Sequence, residues 1–237
     1  MSNSINILSF TANFSKESAY LLGLLWADGF IYSKKRNNRV CLECVRTDID
    51  IFYPIFLTTG NWHVYYRTRK NRQPQGTIVS SNKILVDFLL SHGFGPHTFN
   101  SADSILSLLP DYLKKYWFRG LIDGDGCWYI NKRNKAYQFS LSGSYEQDWT
   151  YFKNYLKSFD IKYGIQKRIV PNGNKYSMVR ITNKKDIIKF GDIIYENYSK
   201  DNLGLFRKYN KYLQIKSCPR LKPGPKPKFI NQQPLAD

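Results

Sequence analysis

Two stretches decide the reading of this chain. The first is Tyr20-Leu21-Leu22-Gly23-Leu24-Leu25-Trp26-Ala27-Asp28-Gly29-Phe30; the second is Trp117-Phe118-Arg119-Gly120-Leu121-Ile122-Asp123-Gly124-Asp125-Gly126-Cys127. Both run glycine, leucine, aliphatic, any residue, small residue, aspartate, glycine in one register. A second echo follows each: Ser81-Asn82-Lys83 and Thr182-Asn183-Lys184 both lead into an apolar run of helical period. Two echoes in the same order point to an internal duplication.

Hydrophobic periodicity gives both copies the same element order. In the first, a helix spans about 15–28, apolar at nearly every position as a buried helix is. Strands follow near 29–36 and 39–45, a helix near 48–58, strands near 62–69 and 76–81, and a helix at 83–91. In the second, helices fall near 111–125, 145–158 and 184–195, with strands near 126–132, 136–142, 163–170 and 175–182. The fold class is therefore α+β: αββαββα twice, each half a four-stranded antiparallel sheet with helices on one face and the other face open. Residues 1–92 form the N-terminal half and 111–196 the C-terminal half. The breaker-rich stretch 93–110 reads as a linker. A basic helix lies within 197–217, and 218–237 is a basic, proline-rich tail without an apolar period.

Gly23 and Ala27 are four residues apart, as are Gly120 and Gly124. Small residues at that spacing share one helix face and let two backbones approach closely. If the two helices pack on each other, their ends coincide. Each ends in an aspartate, Asp28 or Asp125, followed by a glycine expected to terminate the helix in the left-handed conformation. A carboxylate at the negative end of a helix is disfavoured by about 0.3–1 kcal/mol, and two side by side repel. A divalent cation between them removes both penalties, and paired carboxylates with Mg²⁺ are suited to phosphodiester hydrolysis.

The stretches 21–29 (LLGLLWADG) and 118–126 (FRGLIDGDG) resemble the two LAGLIDADG motifs of single-chain homing endonucleases, and the likeness extends over roughly residues 15–215. The resemblance implies a monomeric pseudo-dimer astride DNA. The motif helices would form the central interface, and each sheet would be a saddle in the major groove. It implies a double-strand break at a long asymmetric target, with Mg²⁺ as cofactor and Mn²⁺ as the alternative. By position it carries the metal-binding acids onto Asp28 and Asp125. It also carries the preceding carbonyls onto Ala27 and Gly124, and a basic residue near the fourth strand's end onto Lys83 and Lys184. One departure is Trp26, where the motif has its first aspartate; Asp123 keeps it.

Composition agrees with such a partner. The 237 residues hold 36 Lys and Arg against 18 Asp and Glu, a net charge of +18. Residues 1–96, 97–196 and 197–237 contribute +5, +6 and +7. This favours nucleic acid. No basic amphipathic segment with a wide apolar face and no span of membrane length is present, so no membrane partner is expected. DNA-contact candidates are Tyr32, Lys34, Arg36, Arg46, Arg67, Arg69 and Arg72 in the first half. In the second they are Lys132, Arg133, Lys135, Gln138, Ser140, Gln166, Arg168 and Arg180. Cys41 and Cys44, three apart on a strand, face opposite sides and make no zinc site. The opening residues carry no secretion signature. The expectation is an intracellular, phage, bacterial or organellar homing enzyme, intron-encoded or free-standing. Two rivals stand beside it: an RNA maturase of the same fold acting on intron RNA, and a DNA-binding regulator without catalysis.

Overall fold

The computed structural model describes residues 5–34, 37–68, 70–71, 73–95, 100–131 and 136–218. Arg36, Arg69, Arg72, Lys132, Arg133, Lys135 and the tail from 219 onward lie outside the described residues.

The first half comprises α1 (Leu8–Thr11), α2 (Lys16–Asp28), β1 (Gly29–Lys34), β2 (Asn37–Val45), α3 (Arg46–Leu57), β3 (His63–Arg67), β4 (Gln75–Ser80) and α4 (Lys83–Ser91). A short helix α5 (Asp103–Leu106) precedes the second half, which comprises α6 (Asp111–Asp125), β5 (Gly126–Asn131), β6 (Ala136–Ser144), α7 (Thr150–Ser158), β7 (Gly164–Ile169), β8 (Lys175–Ile181) and α8 (Lys184–Ile194). Then come α9 (Tyr198–Asp201) and α10 (Phe206–Ser217). The fold is α+β, with αββαββα in both halves. Each sheet has four antiparallel strands, ordered β1-β2-β4-β3 and β5-β6-β8-β7.

Helix α2 starts where a capping box forms. The Ser15 side chain accepts from the Ser18 backbone N–H at 3.2 Å, and the Ser18 side chain accepts from the Ser15 N–H at 2.9 Å. Every residue from Ser18 to Trp26 is buried, which explains why the helix lacks a polar stripe: α6 covers one side and its own sheet the other. The two helices meet at their glycines. A methyl on Gly23 would stand 1.8 Å from the Trp117 carbonyl oxygen, and one on Gly120 would stand 2.0 Å from that of Tyr20.

The helix-to-strand junctions correct one expectation. Gly29 and Gly126 are not left-handed; φ is −77° and −78°, and both are extended. Glycine is needed there for space. The chain turns so abruptly from helix to strand that a Cβ would lie 2.3 Å from the Leu25 carbonyl oxygen at Gly29, and 2.7 Å from that of Ile122 at Gly126. Register is pseudo-symmetric at this point: Gly29 pairs with Leu42 and Gly126 with Leu141.

Alternation then sorts the strands. Val40, Leu42 and Ile78, and in the other sheet Phe139, Leu141, Val179 and Ile181, are buried under helices. Helix α7 begins at Thr150 rather than near 145. Strand β6 runs on to Ser144, and the Asp148 carboxylate accepts the Thr150 N–H at 2.8 Å. The stretch 93–110 carries α5 and buries Phe94, Ala102, Ile105, Leu106 and Leu109. Trp26, placed where the motif has an acid, lies in an aromatic cluster, its ring 5.0 Å from Phe94 and 6.2 Å from both Trp117 and Tyr151. Edge and tilted contacts at such distances are favourable.

Candidate active site

Close packing of α2 on α6 brings their C-terminal ends together. A methyl on Gly124 would lie 2.4 Å from the Ala27 Cβ and 3.0 Å from Asp28 Oδ2. Only a bare backbone at 124 allows the Asp28 carboxylate to stand so near the end of the other helix. Both aspartates reach solvent, yet the crowded helix ends strip them of much of their hydration. This dehydration pushes Asp28 above the ordinary carboxylate range, with Asp48 adding to it. Dehydration, then the charge of Asp28, pushes Asp125 up to about 7. Lys208 opposes the rise at both residues.

Lys208, on α10, is only 9% exposed. Its ammonium donates to the carbonyls of Ile122, Asp123 and Gly124 at 2.7, 2.6 and 3.0 Å. It thereby serves the Asp123 and Gly124 carbonyls at the open end of α6 and shares the Ile122 carbonyl with the Gly126 N–H. Dehydration lowers its pKa, while Asp123, Asp28 and Asp125 act to retain its proton. The neighbouring Arg207 reaches the other half, donating to the Asp48 carboxylate of α3 at 2.6 Å. Consecutive residues of α10 thus brace both halves at the acid pair.

The remaining motif polar groups are structural. Asp123, 3% exposed, accepts from the Tyr20 hydroxyl at 2.7 Å and the Leu205 N–H at 2.8 Å through Oδ2. It links the two motif helices and the segment entering α10, and dehydration raises its pKa to about 6. Arg119 is fully buried and donates to the carbonyls of Ile194, Leu203 and Glu196 at 2.8, 3.2 and 2.9 Å.

Lys83 and Lys184 occupy equivalent places, each the first residue of the helix after the fourth strand, behind the caps Asn82 and Asn183. Lys83 is highly exposed and pairs with Asp87. Lys184 donates to the Cys218 carbonyl and lies 5.0 Å from the Tyr137 ring centre. Both ammonium groups therefore have partners other than the aspartates. Beside Asp125 is a crevice of about 20 Å³ lined by Ser142, Gly143, Gln147 and Trp149, room for a single water molecule.

Strand register places most of the sheet candidates on the open faces. Gln138, Ser140, Gln166, Arg168 and Arg180 share the open face of the second sheet. Arg180 sits at its centre, donating to Gln138 Oε1 at 2.5 and 2.9 Å and to Gln166 Oε1 at 2.8 Å. In the first sheet Tyr32 and Arg67 are on the open face with Arg39, which sequence reasoning missed. Arg67 donates to Glu43 at 2.7 Å. Lys34 pairs with Asn37 at the hairpin end of the sheet. Arg46 instead opens α3, 3.8 Å from Asp50 and stacked 4.8 Å over Tyr66.

The donor set suits a hard cation. Among the described residues no three His, Cys, Asp or Glu side chains cluster as a metal cage. The side chains offer two carboxylates, Asp28 and Asp125, with the adjoining helix-end carbonyls of Ala27 and Gly124. Oxygen donors with room left for water and phosphate are what Mg²⁺ prefers. Burial first, and the neighbouring Asp28 charge second, disfavour the ionised form of Asp125, and a cation between the two carboxylates would offset both.

Comparison with known proteins finds the same fold. A family model described as the LAGLIDADG-like domain matches residues 113–195. Among solved structures, the homing endonuclease I-WcaI bound to its DNA recognition sequence superposes with a TM-score of 0.57 at 15% identity, over 87% of this chain and 91% of that one. I-DmoI in complex with DNA and Mn gives 0.51 at 17%, over 76% and 96%. The meganuclease I-SmaMI bound to uncleaveable DNA gives 0.53 at 13%, over 84% and 88%. At these identities the likeness is one of fold. A 115-residue stretch is also 26% identical to exocyst complex component SEC6 of Saccharomyces cerevisiae, covering 48% of this chain and 12% of that protein. The chain thus spans a small part of that relative's length, and a match of this extent fixes neither fold nor activity.

Proposed function

We propose that this chain, a two-motif LAGLIDADG protein, is a site-specific DNA endonuclease that makes a double-strand break with a divalent cation, Mg²⁺ or Mn²⁺. The single observation that carries the reading is the meeting of Asp28 and Asp125 at the ends of two helices packed through Gly23 and Gly120. When bound, the cation polarises the phosphate and activates water.

The chain's own residues do the rest. Asp28 and Asp125, with the carbonyls of Ala27 and Gly124, hold the cation. The rigid α2–α6 contact fixes the spacing of the carboxylates, so one duplex can be addressed on both strands without rearrangement. The two open sheet faces bind the flanking duplex. On one, Gln138, Gln166 and Arg180 form a pre-oriented set whose amide and guanidinium donors suit base edges. Lys83 and Lys184 exchange their present partners for solvent or phosphate near the reacting strands. The basic surplus supplies salt-sensitive affinity for the backbone.

Asp28→Asn tests the assignment on a supercoiled plasmid carrying the cleavage site. Double-strand cutting should be lost. A wild-type rate of linearisation in that variant would falsify the role given to Asp28.

A further inference from the structure

The two open sheet faces carry different chemistry at the same position. Gly29 pairs with Leu42 and Gly126 with Leu141, so the halves share one register. The open-face row beginning two residues past each aspartate is Phe30, Cys41, Val79 and His63 in the first sheet. In the second it is Cys127, Ser140, Arg180 and Gly164. Arg180, held by Gln138 and Gln166, makes the second row polar at its centre. In the first row Val79 stands where Arg180 does and Cys41 where Ser140 does, both buried, and the exposed Phe30 ring stands at the end nearest Asp28. His63, the one polar side chain of that row, is on the outer edge strand β3. The exposed rings of Tyr32 and Tyr65 lie in the rows on either side. The cations of this face flank the apolar row: Arg39 opposite Tyr32, and Arg67 held by Glu43.

We propose that Phe30 is a specificity-determining residue that selects thymine in one half of the target by contact with the C5-methyl group, whereas the other half is read by hydrogen bonds. The inference rests on the DNA-endonuclease reading above and deepens it by naming what one half-site contains. Among the groups that line the major groove, the thymine methyl is the apolar one. A phenyl ring neither donates to nor accepts from a base edge. Set against guanine or cytosine, the apolar row strips water from O6, N7 or N4 and replaces none of it, which is the costly case. Set against thymine, it buries a methyl group and gains the transfer free energy of that group. Arg180 reverses the preference in the second sheet, because a guanidinium matches the paired acceptors of guanine. Phe30 is two residues past Asp28, about 7 Å along the strand, so the thymines it selects lie on the side of the half-site nearest the cut. Arg39 and Arg67, at the flanks of the row, are placed for the phosphates that hold the duplex over it.

The test begins with selection of bound DNA by the full chain from a pool of random-sequence duplexes, without divalent cation so that bound DNA stays whole. The recovered duplex is then remade with uracil for thymine in one half at a time, and affinities are measured by competition. Uracil in one half should weaken binding about fourfold for each contacted methyl, and uracil in the other half by less than about twofold. 5-Bromouracil, whose bromine takes the place of the methyl, should restore the affinity. Phe30→Ala should bind thymine and uracil duplexes alike in the sensitive half, and Arg180→Ala should relax discrimination in the opposite half. Circular dichroism checks folding, and Phe30→Leu, which should keep only part of the thymine preference, replaces the alanine variant if that does not fold. Equal affinity for thymine and uracil in both halves overturns the proposal, as does a thymine preference that survives Phe30→Ala or falls in the half that Arg180 reads. In each of those cases a recovered consensus sequence leaves the site-specific DNA reading standing. If no sequence is enriched from the pool, both fall.

Discussion

Replacing Gly120 by alanine inserts a methyl into one of the two tight glycine contacts between the halves. The new Cβ would lie 2.0 Å from the Tyr20 carbonyl oxygen and 2.7 Å from the Leu24 nitrogen. Ordinary contact begins near 3.4 Å, so the helices must separate by more than an ångström. Both offending atoms are backbone of a buried helix, so no rotamer change relieves them. Overpacking costs about 1–3 kcal/mol when side chains give way; here the upper end, about 3 kcal/mol, is expected. For a chain of this size that corresponds to a melting-temperature drop of roughly 6–12 °C. Gly164→Ala is the control, because its Cβ would meet nothing within 4 Å; it should shift stability by less than about 0.5 kcal/mol. Calorimetry of the two variants measures the difference. A Gly120→Ala protein melting with the wild type would refute the claim that the halves are locked through this contact. Separation should also pull Asp28 from Asp125, so surviving Gly120→Ala protein should bind Mn²⁺ more weakly.

Further outcomes follow from the same geometry. Asp125 is pushed from 3.8 up to about 7, so between these values the folded state holds the extra proton and stability falls as pH rises. The melting temperature of Asp125→Asn should therefore equal that of the wild type near pH 3.5 and exceed it increasingly towards pH 8; a constant difference contradicts this. Arg119→Met leaves three carbonyls without their donor and should lower stability by roughly 3 kcal/mol or more in urea titration. Arg180→Ala should relax discrimination at one or two base pairs by about 1–3 kcal/mol in competition binding; a loss uniform over all sequences would make it a phosphate contact instead.

The parts legible in the sequence were those set by local periodicity and by the repeat. Gly23 and Gly120 announced a close helix contact because four-residue spacing of small residues is a local feature. Strand parity set Gln138 with Ser140 and Gln166 with Arg168, since a period of two needs no knowledge of the partner strand; the register that joins them with Arg180 on one face comes from the pairing. Arg46 lies beyond the strand expected at 39–45, and it opens α3. The junction glycines were identified but misread: their need is steric, and only the turn into β1 and β5 reveals it. Arg119 left a signal, a charge inside an otherwise apolar helix. Lys208 left none. In the run Phe206-Arg207-Lys208-Tyr209 it looks like any basic surface residue. Its role depends on docking across 84 residues of chain onto the end of α6. Asp48, Gln147 and the aromatic packing of Trp26 were hidden because the neighbours that define them are set by the fold.

The most direct measurement is cleavage of genomic DNA from the source or its close relatives in Mg²⁺, read by sequencing the broken ends. The Asp28→Asn, Asp125→Asn double variant is run beside it. Recurrent breaks at one site, absent with the double variant, are the predicted result. Breaks that persist in the double variant, or a wild-type protein that binds DNA tightly and leaves it whole, would contradict the account and direct attention to intron RNA.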